Sequence, residues 1–149
     1  MAEHAAVGDT GSGLTRASVW ATAALALSGG AAAAWPDTFA APHAVFSGLM
    51  FVTGVGAFLL AYFVGISRSR TDAVTLSGLF FLSGGTASAE VRRRLRLATL
   101  AQTAIVVTAA MVRPYTEVAY GILAPMFGLG VMALWGGRHG VFPPRVPRS

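Results

Sequence analysis

Runs of apolar positions along the chain give four stretches long enough to cross a bilayer, and the short segments between them hold almost every charge. Ala17 to Trp35 (ASVWATAALALSGGAAAAW) is uncharged and stops at Pro36-Asp37. A bilayer core of roughly 30 Å needs about 20 helical residues, so this stretch suffices, and Trp20 and Trp35 near its ends suit the two interfaces. Ala44 to Ile66 is the clearest span and runs directly into Ser67-Arg68-Ser69-Arg70. The third, Leu97 to Val112, is the shortest; Arg96 lengthens it by laying its stem along apolar surface while its guanidinium returns to the headgroups. After a turn at Arg113-Pro114-Tyr115-Thr116-Glu117 the fourth runs from Val118 to Trp135, with Pro125 inside it predicting a kink. Pro36 to His43 reads as the loop joining the first two spans. The fold class expected is therefore all-α integral membrane, a four-helix transmembrane bundle.

Ala73 to Ala89 (AVTLSGLFFLSGGTASA) is apolar enough to suggest a fifth span but is interrupted by Gly78, Gly84 and Gly85. Charge decides between the two topologies. With four spans, Arg16, Arg68, Arg70, Arg92, Arg93, Arg94, Arg96, Arg138, Arg145 and Arg148 share one side and only Arg113 lies opposite; a fifth span scatters them. Basic residues collect on the cytoplasmic side, so both termini are expected there, and 73–89 is expected to be a re-entrant or interfacial element before the third span, its Gly-Gly turn buried against the bundle. The domain plan is then a disordered tail over 1–15, one transmembrane domain over 16–138 and a Pro-rich cytoplasmic tail over 139–149. A secretory signal peptide competes for the first stretch, since Ala31 to Ala34 offers small-residue cleavage patterns. Its one Arg follows Glu3 and Asp9, however, and an uncleaved span is the expectation.

Composition sharpens this picture by exclusion. The 149 residues are 54% hydrophobic and only 11% charged, against roughly a quarter charged in ordinary soluble domains. A net charge of +5 carried by flanking arginines matches an anionic leaflet, and no nucleic-acid-reading module accompanies it. With no cysteine, disulfides and thiol chemistry are excluded. No Asp, Glu, Lys, Arg or His falls within the four stretches, so the acids and bases that mark proton relays are expected to be absent from the interior. The histidines fall in separate flanking segments, His4 and His139 on one side and His43 on the other, without metal-ligand spacing. No catalytic constellation, metal site or cofactor is expected.

Three groups of residues remain as candidates. Glu90-Val91-Arg92-Arg93-Arg94-Leu95-Arg96 is the densest charge in the chain; Arg92, Arg93, Arg94 and Arg96 are candidate contacts for anionic lipid phosphate, or an anchor that fixes topology. Ala57, Ala61 and Gly65 in the second span, with Gly121, Ala124 and Gly128 in the fourth, form small-residue strips along which helices approach closely; Val131 is read as facing lipid. Gln102 is the amide within the third span and a candidate buried polar contact. Asp37 and His43 on one outer loop, with Arg113, Tyr115 and Glu117 on the other, suggest a salt-bridged lid.

The segments RPYTEVAYGILAPMFGLGVMALWGGRHGVFPPR (113–145), GLFFLSG (78–84) and EVRRRLRLATLAQ (90–102) resemble small multi-span membrane proteins of actinobacteria, over roughly the second half of the chain. The resemblance implies a compact, multi-pass bacterial plasma-membrane protein and transfers no activity or site residue. Taken together, these readings point to a non-enzymatic accessory or scaffold subunit of a plasma-membrane complex, with cell-envelope biogenesis as its expected setting. Its partners would be the bilayer with its anionic headgroups and another membrane protein or a second copy. The alternatives are a small oligomeric transporter or channel, and an anionic-lipid headgroup-binding protein or membrane enzyme.

Overall fold

Apolar stretches in a bilayer must satisfy every backbone N–H and C=O internally, and the chain does so with helices. The computed structural model describes residues 11–145. Its elements are α1 (Ser12–Ala34), α2 (Pro36–Arg68), a short α3 (Leu76–Phe81), α4 (Ala89–Val112), a 3-10 segment (Glu117–Leu123) and α5 (Pro125–His139). Four helical segments are long and apolar enough to cross a membrane: α1, α2, α4, and the 3-10 segment with α5. They run up, down, up and down, and α5 is the buried centre, with every residue from Gly130 to Gly137 inside.

The turn between α1 and α2 is much tighter than the expected loop. Trp35 alone separates the two helices; its N–H closes α1 on the Ala31 carbonyl, and its own carbonyl accepts from Phe39. Pro36 to His43 is therefore helical. Proline is tolerated at N1, where its missing N–H has no helical partner to lose, and Pro36 occupies that position, while Pro42 falls inside the helix. At 33 residues α2 is about 50 Å long, well beyond a bilayer core of about 30 Å.

Pro125 marks a change of helix type within the fourth span. It sits at N1 of α5 and ends the 3-10 segment, because the Gly121 carbonyl, lacking a proline N–H to accept from, takes the Ala124 N–H at 2.9 Å instead. α4 starts eight residues before the expected third span, at Ala89, with Ser88 Oγ accepting from Val91 N–H as N-cap. The basic run thus forms its first two turns. α1 likewise begins at Ser12, so the tail read over 1–15 is helical from there on; His4 and Arg148 lie outside the described residues.

The segment over 73–89 is too short to span. α3 holds six residues, capped at its start by Thr75 Oγ1 accepting from Gly78 N–H and at its end by Leu82 in the left-handed region. Leu79 and Leu82 are buried against the end of α5, whereas Gly84 and Gly85, at φ 69° and 80°, are exposed with open space around them. The Gly-Gly turn is therefore solvent- or headgroup-facing, a correction to its expected burial: left-handed φ, and not close packing, is what calls for glycine there. Phe80 stacks on Phe58 at 4.5 Å, and Arg96 donates from Nε and Nη2 to the Phe81 carbonyl, which closes the helix. The segment after α5 is pinned to the same end, with Val141 N–H on Thr86 O, Ala73 N–H on Pro143 O and Arg145 N–H on Thr71 O.

Candidate functional site

α1 and α4 run parallel with a constant offset, Thr22 meeting Gln102 and Ala33 meeting Arg113. This register stacks the interior into alternating layers. Outermost is an alanine-rich layer of Ala32, Ala40, Ala109 and Val118. Below it lies a polar layer of Ser28, His43 and Ser47, then an apolar plug of Leu25, Met50, Val106 and Ala124. Next comes a second polar layer of Ser18, Thr22, Thr99 and Gln102, and finally a cluster of Leu82, Leu95, Val131, Met132 and Trp135.

His43 overturns the expectation of an interior without ionisable groups. It is 1% exposed and faces the bundle core, one turn before Ser47 on the same face of α2. Its Nδ1 lies 3.0 Å from Ser28 Oγ, and Ser28 Oγ also donates to the Leu25 carbonyl at 3.2 Å. A serine hydroxyl has one proton. Given to Leu25, it leaves Ser28 Oγ as acceptor of the His43 Nδ1–H, and Nε2 as a bare acceptor over Gly121. A Cβ on Gly121 would stand 2.7 Å from Nε2, so glycine is what makes room for the ring. The loop expected over Pro36 to His43 hides this site; the signal that could have found it is the step from His43 to Ser47 and on to Met50 and Gly54, a continuous helical face.

Gln102, fully buried, donates from Nε2 to Thr22 Oγ1 at 2.9 Å, and Thr22 passes its proton to the Ser18 carbonyl at 2.8 Å. Among the described residues, Ser18 Oγ, His43 Nε2, Ser47 Oγ, Gln102 Oε1 and Trp135 Nε1 are buried without a hydrogen-bond partner. Four of the five belong to the two polar layers. A buried polar atom left unpaired costs about 1–3 kcal/mol, so these two layers are where the interior is polar and its hydrogen bonding matters most.

The small-residue strips are occupied within the chain. Gly128 packs on Thr99 and Gln102, Gly121 on His43, and Ala124 within the apolar plug; Gly65 receives Leu79 of α3, and Ala57 and Ala61 meet Ala133 and Leu134. Two glycines outside the strips mark a backbone-to-backbone crossing of α2 and α5: a Cβ at Gly130 would strike the Gly54 carbonyl, and one at Gly54 would strike the backbone of Met126 and Phe127. Val131 is not lipid-facing. It is 4% exposed, inside the cluster with Leu95 and Trp135.

The basic run divides by task. Arg96 is committed to Phe81 and Ser83, Arg94 pairs with Glu90 at 2.6 Å, and Arg93 is exposed. At the same end Arg68 binds Asp72 and the Gly137 carbonyl and lies over the Phe142 ring, and Arg145 donates to Ser69 O. Arg113 sits at the opposite end, its Nε on the Ala33 carbonyl at 3.2 Å. The expected salt-bridged lid does not form among the described residues: Arg113 caps α1 and His43 is turned into the core.

The outward surfaces of α1 and α2 differ. α2 presents Val45, Leu49, Val52, Leu59, Leu60 and Phe63, a bulky face suited to lipid. α1 exposes Ala23, Ala24, Ala26, Gly30 and Ala34 together with Val19, Trp20 and Leu27, and between it and α4 runs an open groove of about 400 Å³ floored by Gly29 and Ile105 and flanked by Gly30, Ala33, Ala104 and Thr108. No protein family, curated protein or solved structure matches this chain, so these surfaces and layers are read from their own chemistry.

Proposed function

We propose that the protein is a non-enzymatic accessory or scaffold subunit of a bacterial plasma-membrane complex, with both termini cytoplasmic and a partner helix seated in the α1–α4 groove. A role in cell-envelope biogenesis fits this reading. The observation that carries it is the contrast between α1 and α2. α2 shows lipid large side chains along its length, whereas the more Ala-rich α1, beside its exposed Val19, Trp20 and Leu27, shows small ones around a groove, the surface that lets another backbone approach closely.

A photo-crosslinking residue in place of Thr108, in native membranes, should give an adduct of defined mass, and Gly30→Leu should abolish it. Gly30 has open space around its Cβ position, so leucine there leaves the chain's own packing intact. An adduct of twice the chain mass would make the partner a second copy. No adduct, or one indifferent to Gly30→Leu, would remove the scaffold reading.

One observation favours a second reading, a small oligomeric transporter or channel: ionisable residues inside membrane segments commonly mark ion or proton routes, and His43 is one. The apolar plug below it argues for a closed interior in the isolated chain. Purified protein in liposomes is therefore expected to pass no protons, and flux lost in His43→Gln would reverse the order of the two readings.

A further inference from the structure

We propose a second site, separate from the partner groove: a seat for the phosphate of an anionic phospholipid, built by Arg16 of α1 and Arg94 of α4 with Trp20 beside it. The two arginines are far apart in sequence and come together because both helices start at the Arg-rich end and run in parallel. They line one cleft of about 340 Å³ whose other walls are Thr15, Val19 and Trp20.

Each wall matches one part of a phospholipid. Arg16 makes no hydrogen bond or ion pair among the described residues. Arg94 gives one Nη2 contact to Glu90, an exposed i,i+4 pair of the kind that contributes little and leaves the remaining guanidinium donors available. Two guanidinium groups on one cleft fit the several acceptor oxygens of a phosphate diester. Val19 and Trp20 lie about one turn further into the bilayer than Arg16, where an acyl chain would continue from the headgroup. Trp20 is 74% exposed, and an indole at that depth occupies the interface it favours. The occupant is therefore a lipid and not a soluble anion, because the wall leading away from the cations is apolar and open to the bilayer. Arg96, equally basic in sequence, takes no part: it is turned to the end of α3, where its Nε and Nη2 are bound to the Phe81 carbonyl.

The test is native mass spectrometry of the full chain in detergent, titrated with phosphatidylglycerol or phosphatidylcholine. Retention of phosphatidylglycerol should exceed that of phosphatidylcholine by about tenfold, and Arg16→Gln with Arg94→Gln should remove most of that preference, the loss expected for two charge-assisted contacts. Arg70→Gln with Arg138→Gln removes the same net charge from exposed positions at the same end and should change retention less than about twofold, as screened surface charges do. All four side chains are exposed, so helicity and melting should be unchanged in both variants. Equal binding of the two lipids, equal losses in the two double variants, or complete displacement by inorganic phosphate would each overturn the proposal, the last by showing a site for free anion.

Discussion

Gly130→Ala should destabilise the protein by about 3 kcal/mol or more, while Gly56→Ala should leave it unchanged or stabilise it by up to about 1 kcal/mol. A single methyl group decides both outcomes. At Gly130 it is driven into the Gly54 carbonyl, and overpacking against atoms that cannot rotate away costs at least the upper end of the usual ~1–3 kcal/mol. At Gly56, two residues from Gly54 on the same helix, the methyl meets nothing within 4 Å, and only the better helix propensity of alanine remains. Gly54→Ala should behave like Gly130→Ala, since its Cβ strikes the Met126–Phe127 backbone from the other side of the same crossing. Denaturant titration of helicity in detergent gives all three numbers. Similar midpoints for Gly130→Ala and Gly56→Ala would mean that α2 and α5 do not meet at this crossing.

The crossing also shows how far sequence could be read. Hydropathy revealed four spans because a bilayer admits little else: a charge-free stretch of sufficient length has one low-energy state, and α1, α2, α4 and the 3-10–α5 segment occupy it. Small-residue spacing revealed that helices approach closely but not where. Gly54 and Gly130 share no four-residue strip with Ala57, Ala61, Gly121 or Gly128, and the face a glycine turns to its neighbour depends on how each helix is rotated, which local spacing does not determine. Val131 was misplaced for the same reason.

Proline misled in two opposite directions. Pro36 and Pro42 were read as loop and lie in helix, so His43 was assigned to the outer mouth; Pro125 was read as a mid-helix kink and begins a new helix after a 3-10 turn. At both ends the outcome rests on which carbonyl the missing N–H would have served: at Pro125 the Gly121 carbonyl, which takes the Ala124 N–H instead, and at Pro36 none, since it is a first-turn position. Of the basic run, the sequence could show density alone. Arg92, Arg93, Arg94 and Arg96 look alike there; the position of α3 commits Arg96, and the start of α1 gives Arg94 its neighbour Arg16.

Gly121→Val should cost about 3 kcal/mol in the native background and substantially less when His43 is alanine. The first methyl beyond Gly121 Cα already stands 2.7 Å from His43 Nε2 and 3.6 Å from Val106 Cγ1, and a branched side chain adds atoms on both sides. The imidazole is held in place, since its Nδ1 is bonded to Ser28 Oγ and the ring is buried in the core. His43→Ala alone opens a cavity in the outer polar layer and is itself destabilising, so the diagnostic quantity is the coupling in the double-mutant cycle. A coupling of about 1 kcal/mol or more, favouring the double variant, is expected for residues in direct contact; additivity would place the ring away from Gly121. The same variants bear on function. The pair Gly121→Val with His43→Ala fills the layer with apolar atoms and removes the imidazole from the interior. If His43 serves packing alone, that protein should still give the Thr108 crosslink; if the scaffold works through a protonated or hydrogen-bonded imidazole, it should fold and fail to assemble. Assembly retained in a chain without His43 would leave the α1–α4 groove as the part of the molecule that its partner reads.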